Sequence, residues 1–167
     1  MDELMPEFEK EFLKLKKDLG FKASLDELDS LFYLKDNINK EGYISTQLSR
    51  AISSRISEVL MGWVNYIHNL IMPNASSLVS MIESQAFNEI EKQEMFLLFN
   101  KMMVHLSSNS INSITKDKKE EAAYIDNSLS LAKEVTPQFV SIAKKIKSQW
   151  KERMDSPDEK FQGSGII

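Results

Sequence analysis

Leu4, Phe8, Phe12, Leu15 and Leu19 recur at three- and four-residue spacing, and Gly20 follows them. That pattern predicts an amphipathic helix with a C-terminal stop. Ser24-Leu25-Asp26-Glu27 reads as a capping box, in which serine and glutamate satisfy each other's free backbone N–H groups. It opens a second helix through Leu28, Leu31, Phe32 and Ile38, which Gly42 closes. Ser45 opens a long third helix that Pro73 ends, spanning roughly 40 Å at 1.5 Å per residue. Leu78, Val79, Ile82 and Ala86 mark a short fourth helix. Asn88, with Glu91 three residues on, caps a fifth, which the cluster Ser107-Ser108-Asn109-Ser110 is expected to weaken or end. Asp117 and Glu120 repeat the capping pattern before a last helix, where Thr136-Pro137 predicts a kink or a restart. Strict alternation, the mark of a strand, occurs nowhere. The expected fold is all-α: one bundle of five or six unequal helices around the third and fifth, over residues 1–154. A flexible tail is expected over 155–167, where Pro157, Gly163 and Gly165 fall.

Charge sharpens this picture. From Tyr43 to Phe87 four residues are charged, Arg50, Arg55, Glu58 and Glu83, in a chain that is 28% charged overall. A typical stretch of that length carries about a dozen. Helical periodicity persists through it, so the third helix is expected to be buried in protein. At about 100° per residue, Leu48, Ile52, Ile56, Val59, Trp63, Tyr66, Ile67 and Leu70 fall on one wide arc, enough to pack against several helices. The fifth helix carries Met95-Phe96-Leu97-Leu98-Phe99 and Met102-Met103-Val104 and is apolar nearly all round. It must sit centrally or bury a second face against a partner, and central burial is the reading put first.

Composition narrows the chemistry. A net charge of −4 offers no global attraction to nucleic acid or anionic lipid. The absence of cysteine removes disulfides, thiolate nucleophiles and cysteine metal sites. His68 and His105 fit no metal pattern: neither has a glutamate three residues before it, and neither has a second histidine at helical spacing. No metal and no cofactor is expected. There is no glycine-rich phosphate loop and no nucleophile elbow. The N-terminus lacks the basic and apolar regions of a signal peptide. The longest apolar run, Val59 to Met72, is broken by Asn65, His68 and Asn69 and falls short of the roughly 20 residues a membrane span needs. A soluble, cytoplasmic protein without a membrane span is expected.

Three groups of residues stand out. Arg55 lies on the apolar side of the third helix, where a guanidinium must pair or reach solvent. Glu83 and Asp36 are the partners considered, and an anion-binding site built on Arg55 and Glu83 is the alternative. Ser45, Ser49, Ser53 and Ser57 form a ridge of small residues at four-residue spacing. It is either an internal close crossing or, with Met61 and Met72 on the polar side, part of a partner surface; the internal reading comes first. Lys144, Lys147 and Lys151 share one face of the last helix, opposite Ile142, Ile146 and Trp150. They form a solvated face or a contact for phosphate, an acidic protein or lipid.

The function this favours is a non-enzymatic interaction protein that binds a protein partner or itself through its long helices. A nucleic-acid-associated protein using the basic C-terminal helix comes second. An enzyme or ligand-binding bundle with a buried Arg55/Glu83 site comes third.

Overall fold

The computed structural model describes residues 4–155, and these form seven helices with no strand among them. They are α1 (Leu4–Leu19), α2 (Leu25–Phe32), α3 (Leu34–Glu41), α4 (Leu48–Ile71), α5 (Leu78–Ser84), α6 (Glu89–Thr115) and α7 (Lys118–Asp155). The tail expected over 155–167 falls, apart from Asp155, outside the described residues. No helix of the structure is long and apolar enough to cross a membrane.

Local chemistry sets most of the ends. Ser24 and Glu27 form the capping box of α2, with the Glu27 N–H on Ser24 Oγ at 3.2 Å and the Ser24 N–H on Glu27 Oε2 at 3.1 Å. Asn88 and Glu91 do the same for α6 at 2.9 Å each way. Gly20 and Gly42 close α1 and α3 at φ 79° and 76°, a conformation that costs glycine little. The capping glutamates also take lysines from α7: Lys133 donates to Glu27 at 2.8 Å, and Lys145 pairs with Glu91. Lys133 thereby holds the Glu27 carboxyl down at about 2.

Four expected boundaries differ from the sequence reading. The expected second helix is two, broken at Tyr33, which sits in the left-handed region at φ 54° at a cost of about 1–2 kcal/mol. Two side chains satisfy the ends of the break, one from α2 itself and one from α4. Asp29 Oδ1 accepts the Lys35 N–H at 2.8 Å, and Arg55 Nε donates to the Phe32 carbonyl at 3.0 Å. The long helix begins at Leu48 rather than Ser45, whose hydroxyl accepts the Gln47 N–H within the preceding turn. The serine cluster does not end α6. Ser107 and Ser113 hydroxyls donate back to the carbonyls of Met103 and Ser110, while Leu106, Asn109 and Asn112 face inward, so packing overrides weak propensity. Pro137 likewise lies within an unbroken α7 of 38 residues. Val135 beside it is fully buried, so tertiary packing holds the turn that lacks a proline N–H.

The core is one cluster. Phe8 and Phe12 of α1, Phe32 of α2, Ile56 and Leu60 of α4, Met102 of α6 and Ile125 of α7 are fully buried or within 1% of it. Each such side chain contributes about 1.5–3 kcal/mol. α4 packs on every other helix, which explains its wide apolar arc. α6 is not central. It packs extensively on α4 and α7, with Met95, Leu98, Met102 and Leu106 turned inward, and its opposite side faces outward.

Candidate functional site

The serine ridge of α4 lies against α6 and α7. Ser53 is fully buried and Ser49 and Ser57 are half-buried. Small side chains there bring a chain of polar groups between the three helices. Asn109 Nδ2 donates to Ser57 Oγ at 2.7 Å, and Ser57 Oγ donates to the Ser53 carbonyl at 2.9 Å. The Tyr124 hydroxyl lies 2.7 Å from Ser57 Oγ, and its ring stacks on the His105 imidazole with centroids 4.6 Å apart. His105 Nε2 lies 2.7 Å from Ser128 Oγ. At the other end Arg50 Nη1 donates to Asn109 Oδ1 at 3.0 Å and to Glu121 Oε1 at 3.2 Å. Burial pushes the Tyr124 phenol up and the His105 imidazole down from their ordinary values, so both are held neutral. The Ser53 hydroxyl is buried without a hydrogen-bond partner.

This network contains a serine within reach of a histidine, the first two parts of a nucleophilic site. Ser128 is fully buried and lines none of the clefts described below, so no substrate carbonyl reaches its hydroxyl here. The pair ties α6 to α7.

Arg55 and Glu83 are not brought together. Arg55 donates to the Phe32 carbonyl and, at 2.8 Å, to Glu58 one turn along its own helix. Glu83 accepts the Trp150 indole N–H at 3.1 Å and ties α5 to α7. Met61 and Met72 are exposed, Met72 the more so, beside Leu78 and Val79 in the sequence that turns into α5. Lys144, Lys147 and Lys151 are exposed on α7, and no ion pair among the described residues engages them. Ile142 and Ile146 on the other side of that helix are buried, and Trp150 is partly exposed. Among the described residues no group of three or more histidine or carboxylate side chains is placed to hold a metal ion.

Among the described residues, two clefts are large enough for a ligand. One, of about 360 Å³, lies between α6 and α7 over Phe87, Met95, Leu98, Pro137 and Ile142. Lys145 stands at its rim, 5.4 Å above the Phe87 ring and paired to Glu91. The other, of about 460 Å³, lies between α1, the turn before α4 and the start of α7, and is edged by Glu7, Glu11, Asp18 and Lys118. Neither holds an unpartnered buried polar group aimed into it.

The least expected surface belongs to α6. Ile90, Leu97, Val104 and Ile111 are 70%, 69%, 72% and 59% exposed, and Ile114 is 81% exposed. From Met95 to Thr115 the only formal charge is Lys101, which pairs with Glu134 of α7. The remaining outward positions include Asn100, Ser107, Ser108 and Ser110, polar but uncharged. The seven-residue spacing was present in the sequence. Its direction, outward rather than into the core, was not. Central burial of this helix, the reading put first, applies to one face alone.

No protein-family model matches this chain, and no curated protein and no solved structure does.

Proposed function

We propose that the protein is a non-enzymatic helical interaction module that binds a protein through the outward face of α6. The observation that supports this reading is the row of exposed aliphatic residues on a helix whose stretch from Met95 to Thr115 carries one formal charge, Lys101. Monomeric proteins rarely leave contiguous apolar surface beyond a few hundred Å² in water, and depletion of charge marks the centre of an interface. Surface helices ordinarily carry charges on that side. Met61, Met72, Leu78 and Val79 add exposed apolar groups elsewhere on the molecule. The test is Leu97→Glu combined with Val104→Glu. Both positions face solvent, so the circular dichroism spectrum should be unchanged while binding to the protein partner, or self-association, is lost. Unaltered binding by the double variant sinks the reading.

Contact with nucleic acid is the second reading, supported by the exposed Lys144, Lys147 and Lys151, which no ion pair among the described residues engages. Binding of a labelled oligonucleotide that weakens steeply with salt and is lost on changing these three to Gln favours it.

A further inference from the structure

We propose that a second copy of this chain covers the outward face of α6, with the two α6 helices antiparallel about a two-fold axis near Asn100. This rests on reading that face as an interaction surface. Ile90, Leu97, Val104 and Ile111 are each seven residues apart. A seven-residue apolar repeat keeps one seam turned toward a partner helix in left-handed coiled packing. Among the described residues nothing closes that seam, because α6 meets α4 and α7 through its opposite side.

Symmetry explains why the occupant is the same chain. A two-fold axis sets residues near it beside their own copies, so a face carrying one sign of charge repels itself. Here the single formal charge on the middle and end of α6, Lys101, is held by Glu134. A face neutral in this way fits its own copy and gives a strongly charged partner nothing to pair with. Direction follows from the ends. Glu89 and Glu94 lie in the first turns of α6, while a segment of mixed charge, Lys116, Asp117, Lys118, Lys119 and Glu120, follows its last turn, all exposed at the surface. Parallel helices would place the two glutamates beside their copies. Antiparallel helices separate them and oppose the helix dipoles. With Phe96 and Ile114 at its edges, the exposed apolar row runs along most of the length of α6.

The experiment is sedimentation equilibrium on the full chain, from about 10 μM to about 1 mM. A dimer is expected for the wild type. Leu97→Glu with Val104→Glu should raise its dissociation constant about a hundredfold or more while the helical signal survives. Should that pair fail to fold, Ile111→Ser is the milder change at the same seam and should weaken the dimer about tenfold. The chain has no cysteine, so single introduced thiols report geometry. Asn100→Cys should cross-link to itself, and Ile90→Cys should cross-link to Ile111→Cys when the two are mixed. Self-linkage of Ile90→Cys without the mixed product overturns the antiparallel arrangement. A wild type that stays monomeric at about 1 mM overturns the proposal itself. If that monomer retains another protein that the double variant loses, the interaction reading stands without the second copy; equal retention by both removes it too.

Discussion

Asn109 of α6 donates to Ser57 of α4 across 2.7 Å, between positions 52 residues apart in the chain. The serine at that point is what allows the two longest-contacting helices to approach so closely. Ser57→Ala should leave the Asn109 amide and the Tyr124 hydroxyl short of a partner, costing about 1–3 kcal/mol. Ser53→Ala, one turn away, should be neutral or slightly stabilising, because its buried hydroxyl has no partner to lose. Ser53→Leu overfills the same crossing, at about 1–3 kcal/mol. Urea denaturation of the three variants checks the order. Equal costs for Ser53→Ala and Ser57→Ala contradict it.

Arg50 holds Glu121, a carboxylate that is 8% exposed. Removing the guanidinium leaves that charge buried and unpaired, so Arg50→Ala should cost about 3 kcal/mol or more. Arg50→Ala with Glu121→Gln should cost less than the sum of the two single changes. A strictly additive double-mutant cycle shows that the two side chains do not depend on each other.

Arg55 caps the end of α2 through the Phe32 carbonyl. Arg55→Met keeps the apolar stem and loses that bond and the one to Glu58, so it should cost about 1.5–3 kcal/mol. Amide exchange should rise at the α2–α3 break. Glu83→Gln should add independently, within about 0.5 kcal/mol, since its partner is Trp150. Strong coupling between Arg55 and Glu83 argues for a different arrangement of α4 and α5.

Asp126 of α7 accepts the backbone N–H groups of Lys22 at 2.9 Å and Ala23 at 2.8 Å, pinning the link between α1 and α2. Asp126→Ala should cost about 2–4 kcal/mol, because both bonds go to a charged acceptor. Exchange at the Lys22 and Ala23 amides should accelerate first. Unchanged protection at both positions refutes this role.

Burial keeps the His105 imidazole below its ordinary value of 6.5. Between that value and the depressed one, the unfolded chain takes up a proton that the folded chain refuses. Stability should therefore fall as the pH drops below about 6.5, and level off once the folded imidazole also titrates. His105→Gln should flatten that part of the profile. A separate loss should appear at lower pH, as Glu27 protonates between its ordinary 4.5 and about 2 and releases Lys133. Denaturation midpoints from about pH 8 to about pH 5 measure the histidine part. An identical slope in wild type and His105→Gln assigns it elsewhere.

The amino-acid sequence by itself determined what depends on neighbours within four residues. The capping boxes at Ser24 and Asn88, the glycine stops at Gly20 and Gly42, and the helical class itself are all local: donor, acceptor and backbone dihedral sit within one turn. The wide arc of α4 was equally legible, because one helix that packs on many must be apolar around much of its girth. Tertiary structure decided the rest. The break at Tyr33 needs Arg55, 23 residues after Phe32, and the continuation of α6 through its serines needs α4 beneath Asn109. The Arg50–Glu121 pair joins positions 71 residues apart, and no periodicity carries that information. Nor could spacing say which apolar side of α6 meets the core. Both sides read as hydrophobic, and only the placement of α4 and α7 against Met102 and Leu106 leaves Leu97 and Val104 in water.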